Sequence, residues 1–400
     1  MNSMLEKLNT KLVNLMIPIC IILAPFAIFQ VFYKVGFFIL LVYGIFSILF
    51  LKNSIRLPKS LFYFFITILS VFLINCIRTE GASLNILNFI IGAILTIFYV
   101  SVIPGGFKFP KFYKIYKIIS LIVSIVLIIQ ALRLNLFGIP AVPINLLPVP
   151  VADYNYWDYF KGERPSGFFS EPQAFCSFVI PFFIFSLNRK EFLSSTVIFL
   201  AILLSTSTLG LAISSLILSY FLIIGKKVNT YTKIGVVLGS ILIFFFMLSQ
   251  GFLDSSIEKI KATPIENNIR LVRGFYVYGK FDFLDKLLGI CYSLESYVLQ
   301  NIKDPWVSLY IKAGLKSHLG YTTSFSGLLI QFGIPGFIMY LFFLKDCYKS
   351  GSDDIKILVI VTFLLCFAQT IIFNAWFVFY MSIILGSNYE KGTMKFINFK

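Results

Sequence analysis

Charge is scarce in this sequence. Only 13% of its 400 residues are Asp, Glu, Lys or Arg, about half of the roughly 25% that a soluble globular protein carries. The shortage excludes a water-facing surface over most of the chain. Histidine is nearly missing, with His318 the single one. There is no CxxC pair. The six cysteines, Cys20, Cys76, Cys176, Cys291, Cys347 and Cys366, are scattered and mostly sit in apolar segments. They read as small core residues, which excludes a disulfide framework. Neither Asp-x-Asp nor a His/Cys/carboxylate set at metal-ligand spacing occurs, so no metal or other cofactor is expected. No glycine-rich phosphate loop is present, which argues against ATP-driven work. Ionisable residues within the apolar runs are few, which argues against an ion-coupled transporter.

Apolar side chains are abundant instead. The chain is 58% hydrophobic and 18% aromatic, with a mean hydropathy of +0.89. Apolar runs of about 18 or more residues recur, the length that crosses a bilayer as a helix. Spans are expected at about 12–33, 35–51, 61–77, 84–103, 115–133, 172–187, 192–206, 209–225, 232–250, 324–344, 357–372 and 375–388. The expected fold is an all-α polytopic membrane protein, a single integral membrane domain over 1–400 with about twelve transmembrane helices. Lys7 and Lys11 precede a long apolar run with no A-x-A site after it, which reads as an uncleaved first span. The stretch 192–225 is too long for one ordinary span, and its middle, Leu204–Gly210 (LSTSTLG), is a polar cluster ending in glycine. Such a cluster breaks a helix, so two spans are expected to meet there.

The net charge of +16 fits basic loops against anionic headgroups better than nucleic acid, which is not expected as a partner. With the N-terminus in the cytoplasm, the inside loops hold Lys52, Arg56 and Lys59; Lys108, Lys111, Lys114 and Lys117; Arg189 and Lys190; and Lys226, Lys227 and Lys233. The short outside connections hold little beyond Lys34 and Arg78. This is the positive-inside pattern, and it places both termini in the cytoplasm. Two long loops, 134–171 and 251–323, then share the outer face. The second is large enough to be a small folded unit.

Chemistry-bearing residues gather at these loops. Ser170-Glu171-Pro172-Gln173 fits a capping box with Ser170 as N-cap, which would set Glu171 at the positive end of a helix. Arg164 reads either as an anion-binding guanidinium, whose planar fork fits phosphate oxygens, or as a headgroup contact or ion pair with Glu163 or Glu171. In DYNYWDYF (Asp153–Phe160), Trp157 and Tyr159 suit either an interfacial aromatic belt or stacking on sugar rings. Arg270 and Arg273 are three apart, neighbours on one helix face, solvated or substrate-binding. His318, just before the apolar run that starts at Ser324, is either incidental or a group that trades protons near neutral pH.

Taken in order, the motifs resemble bacterial O-antigen and capsular polysaccharide polymerases of the Wzy type, which are related to O-antigen ligases. The resemblance covers most of the chain. It rests on RPSGFFSEP (Arg164–Pro172), on LLSTSTLGLAIS (Leu203–Ser214), and on an outer loop with Arg270 in NNIR and His318 ahead of TSFSGLLIQFGIPGF (Thr323–Phe337). The H-x-N-S-Y pattern usual there is represented only by His318 with Tyr321, Thr322, Thr323 and Ser324. The resemblance implies a metal-independent glycosyltransferase of the bacterial cytoplasmic membrane. It would join undecaprenyl-diphosphate-linked oligosaccharide repeat units at the outer face, with lipid-linked donor and acceptor, and with a chain-length regulator and a flippase as partners. Arg164 and Arg270 would meet the charge on the leaving diphosphate, His318 would take the acceptor's proton, and Glu171, Arg273, Trp157 and Tyr159 would bind substrate. An O-antigen ligase, or a flippase or other transporter of lipid-linked oligosaccharide, remains the alternative.

Overall fold

The computed structural model describes residues 2–22, 35–49, 55–78, 84–142, 144, 162, 164–169, 171–223, 272–290, 293–312, 314 and 319–399. Among these residues the chain is helical almost throughout. The helices, in chain order, are α1 (Asn2–Ile22), α2 (Val35–Leu49), α3 (Lys59–Arg78), α4 (Leu84–Val102), α5 (Phe109–Phe137), α6 (Pro172–Asn188), α7 (Phe192–Leu204) and α8 (Thr208–Ile223). Four short ones follow, α9 (Gly274–Gly279), α10 (Phe283–Leu288), α11 (Leu294–Asn301) and α12 (Pro305–Lys312). The last three are α13 (Ser324–Ser350), α14 (Asp353–Ala368) and α15 (Ala375–Glu390). A helix thus overlaps every expected span except 232–250, which lies outside the described residues, as do residues 23–33 of the span expected at 12–33. One small antiparallel sheet departs from the all-helical expectation: β1 (Ile55–Pro58) pairs with β2 (Phe396–Phe399), with Ile55 opposite Phe399.

Three helices, α3, α5 and α13, are long and apolar enough to cross a membrane. Shorter apolar helices lie at Ile90–Gly105, Pro172–Asn188, Phe192–Leu204 and Thr208–Leu222. On α5 the exposed residues include Ile118, Ile122, Ile125, Ile129, Leu132 and Leu136. Their spacing of three and four puts an apolar stripe on the outward side, the reverse of a helix on a water-soluble protein. Cys20, Cys176, Cys347 and Cys366 are buried and unbridged, as small core residues are, while Cys76 is half-buried.

The chain divides into two compact units that interleave in sequence. The first holds Met1–Val13, Leu40–Phe109 and Pro264–Lys400, and the second Asn14–Ile39 and Pro110–Thr263. Each has a helix buried on nearly all sides. In the first unit it is α15, where Phe377 to Asn388 are all buried. In the second it is α6, buried from Phe175 to Ser186. Such helices lack a polar face because they meet protein all round.

In the first unit, one end gathers residues expected in inside loops and the tail. Ser60 donates to Asp346 Oδ2 at 2.6 Å, Phe109 N to Glu390 Oε2 at 2.8 Å, and Arg56 lies 4.6 Å above the Tyr389 ring. The opposite end gathers Arg78 with Asp285 and Gly289, and Ser324 with Gln369. The short helices share a buried core of Val277, Phe281, Ile290, Tyr297, Val298 and Leu319 that rests on Ile330 of α13.

α13 is not one straight rod. At Gly333 the backbone turns to φ +60° and ψ −162°, a region closed to most L-residues, and Pro335 has no N–H to give the carbonyl of Gln331. The segment Leu287–Ile290 lodges in the break. Ile290 N donates to the Ile330 carbonyl at 2.8 Å, Asn75 Nδ2 to the Leu288 carbonyl at 2.6 Å, and Arg78 Nη2 to the Gly289 carbonyl at 2.7 Å. The expected single span over 324–344 is therefore corrected to two helical pieces.

Candidate functional site

In the second unit the site builds from α5 outward. Gln130 Oε1 accepts from Gly167 N at 2.8 Å, and its Nε2 donates to the Val142 carbonyl at 3.0 Å. Ala141 N donates to the Gly162 carbonyl at 2.7 Å, and Ile144 N to the Gly167 carbonyl at 3.0 Å. The chain before and after the 145–161 stretch is thereby held side by side, and Arg164 is delivered to a fixed place. Its Nε donates to Thr206 Oγ1 at 3.0 Å and its Nη2 to the Thr206 carbonyl at 2.7 Å.

Two motifs that are 42 residues apart thus meet. The LSTSTLG break falls where expected, between α7 and α8. Thr206 adopts φ +55° there, an uncommon conformation for a β-branched residue. The break consumes its own polar groups: Ser207 N donates to Ser205 Oγ at 3.3 Å, and Gly210 N to Ser207 Oγ at 3.2 Å. Arg164 adds a cation at the C-terminal end of α7, the end of the helix dipole that favours positive charge.

The capping box expected at SEPQ is corrected. The N-cap of α6 is Glu171, with extended φ −139° and ψ 147°, no side-chain cap bond, and Pro172 at the first helical position. Proline fits that position because its missing N–H is unpaired there anyway, and it disfavours the helical region for the residue before it. Ser170 lies outside the described residues. At the far end of this unit, Lys117 Nζ meets Glu191 Oε2 at 2.6 Å. Burial pushes the Glu191 carboxyl up. The bonds from Lys117 and Tyr113 and the charges of Lys117 and Arg189 outweigh this and hold it below its usual value.

In the first unit, Arg273 directly precedes α9. Its guanidinium carbon sits 4.5 Å from the Trp306 ring centroid and 4.3 Å from that of Tyr310, both on α12. These are cation–π distances. Its Nη1 is buried and has no hydrogen-bond partner among the described residues. Asp304 Oδ2 steadies the aromatic side, accepting from Tyr276 OH at 2.6 Å and from Trp306 Nε1 at 3.4 Å. The next residue, Gly274, packs so closely on the start of α13 that a Cβ there would lie 2.2 Å from Ser326 Oγ. Arg273 therefore stands beside Thr322–Ser326, just past the His318 stretch in sequence. Trp306 and Tyr310 were not singled out from the sequence, although their spacing of four puts both on one helix face.

The structure thus places Arg164, Glu171 and Arg273. Arg270, His318, Trp157 and Tyr159 lie outside the described residues, as does Glu163. No protein-family model and no curated protein matches the chain.

Proposed function

We propose that the protein is a polysaccharide polymerase of the bacterial cytoplasmic membrane, joining undecaprenyl-diphosphate-linked oligosaccharide repeat units by glycosyl transfer at the outer face. The observation that carries this reading is Arg273: a guanidinium set against two aromatic rings, with one buried donor that has no hydrogen-bond partner among the described residues. An orphaned charged donor suits an acceptor brought by substrate, and a diphosphate oxygen is such an acceptor. The order of the sequence motifs supports the same class.

In the reaction, a hydroxyl of the acceptor's terminal sugar attacks the anomeric carbon of the donor glycan. The bond from that carbon to the lipid diphosphate breaks, and the diphosphate departs with the electron pair. Arg270 and Arg273 meet its charge. His318 takes the proton of the attacking hydroxyl. Arg164 positions the loop through Thr206 and adds positive potential, Glu171 orients the start of α6, and Trp157 and Tyr159 offer apolar faces to sugar rings. Partners follow from this chemistry: a flippase that delivers the lipid-linked unit and a regulator of chain length.

The test is deletion of the gene, followed by gel analysis of surface polysaccharide. Loss of the ladder with a single capped repeat unit retained is the expected result. Loss of all capped material would instead mean a ligase or a flippase.

A further inference from the structure

α10 is a short helix with an unusual outward face. Phe283 is 80% exposed and Leu284 46%, in a segment otherwise docked tightly into its own unit. The residue after them, Asp285, pairs with Arg78 Nη2 at 2.7 Å. Arg78 is the last residue of α3, which has 20 residues and so runs about 30 Å, the thickness of a bilayer's hydrocarbon. Arg78 therefore marks one boundary of that layer, and α10 is pinned at its level. On α3 itself Leu73, Ile74 and Ile77 are exposed, Ile77 at 83%. The last turns of the span thus present apolar side chains outward up to the residue that holds α10. Leu288 and Gly289, at the end of α10, are fastened to Asn75 and Arg78 of the same turns. Gly289 and Ile290 are buried against the broken α13, so α10 has little freedom to leave that level.

We propose that α10 lies in the membrane interface at the Arg78 end of α3, with Phe283 and Leu284 immersed among acyl chains. The short helices of this unit are thereby anchored to the bilayer surface. The occupant is lipid because α10 is pinned through Arg78 at the end of a span whose Leu73, Ile74 and Ile77 are exposed. Basic Lys286 and the exposed Lys280 stand nearby in sequence to meet headgroup phosphates. The inference rests on α3 crossing the bilayer and not on the reaction proposed above.

The experiment uses the full chain in proteoliposomes, with Trp introduced singly by Phe283→Trp, Leu284→Trp, Leu73→Trp and Lys303→Trp. Wild-type emission is subtracted to remove the native tryptophans. Lipids brominated on the upper part of the acyl chain should quench the added, blue-shifted emission at 283, 284 and 73. Aqueous iodide should quench it at 303 only. Iodide quenching at 283 and 284, with 73 still quenched by lipid, would overturn the inference and leave the span intact. Quenching at 283 by neither agent would mean that protein covers it, such as a second copy, and would overturn it equally. Loss of lipid quenching at 73 as well would remove α3 from the bilayer, and the premise with it.

Discussion

Replacing Gly333 by alanine should damage the protein far more than one methyl group suggests. An added Cβ would lie 2.0 Å from the Leu287 carbonyl oxygen and 2.5 Å from its carbon. Both are backbone atoms, so neither can swing aside as a flexible side chain would. Relief requires the Leu287–Ile290 segment to leave the break in α13. That would sever three hydrogen bonds, from Ile290 N, Asn75 Nδ2 and Arg78 Nη2, each worth about 1 kcal/mol net. The backbone at Gly333, φ +60° with ψ −162°, adds about 1–3 kcal/mol for any residue with a Cβ. The expected loss is therefore about 4–6 kcal/mol. Gly314 serves as a positive-φ position without the clash: its φ is +71° and nothing lies within 4 Å of an added Cβ. Gly314→Ala should lose only the backbone part, about 1–2 kcal/mol. Thermal unfolding of both variants in the same detergent, at one scan rate, gives the ordering. Gly333→Ala unfolding at or above the temperature of Gly314→Ala would refute the account of the break.

The other predictions concern the charged groups. Arg164→Lys should loosen the α7–α8 break by losing the fork on Thr206, and a double-mutant cycle with Thr206→Val should show coupling of about 0.5–3 kcal/mol in stability, as for residues in direct contact; strict additivity would mean the contact is idle. Arg273→Lys should lower turnover on a lipid-linked repeat unit by about 10²–10³, because an ammonium keeps the charge without the planar stack; a normal rate would return Arg273 to a structural role. His318→Ala should abolish polymerisation while the protein reaches the membrane at its normal level, and a normal ladder would move the proton-transfer role elsewhere. The depressed carboxyl of Glu191 contributes stability above the usual carboxylate range and loses it as pH falls through its lowered value; Glu191→Gln should flatten the acid side of the stability profile, and an unchanged acid side would mean the pair with Lys117 is without effect.

The positions of the longer helices were legible because apolar runs of membrane length dominate the sequence, whereas the four short helices within 274–312 were not. The break at Ser205–Ser207 was legible because Ser, Thr and Gly cluster there. The break at Gly333 carried a signal of the same kind, Gly333 and Pro335 within one apolar run, yet length and hydropathy outweighed it. What fills that break lies more than 40 residues upstream, and nothing local announces it. At SEPQ two rules competed: the side chains favoured Ser170 as cap, but the fixed φ of Pro172 made it the first helical residue. The pairing of β1 with β2 joins segments about 340 residues apart along the chain and has no short-range pattern to read. The partner of Arg164 is likewise non-local, so the sequence could show the cation and not what it binds.

That last point changes how an arginine at the mouth of a helix bundle is judged. Near a membrane, backbone carbonyls freed by a helix break must be answered from within the protein. Arg78 answers Gly289 and is neutralised by Asp285, and Arg164 answers Thr206. Each guanidinium is committed to holding a break, which is a sufficient reason for the residue to be there. Arg273 differs in what holds it. It lies against two aromatic rings, a contact that need not occupy its N–H groups, and one buried donor is left without a hydrogen-bond partner among the described residues. An open buried donor alone does not mark ligand use, since Arg78 Nε is buried without a hydrogen-bond partner among the described residues while its Nη2 holds Gly289 and Asp285. The open donor together with aromatic rings as the groups that hold the guanidinium makes Arg273 the described arginine best suited to an anionic substrate.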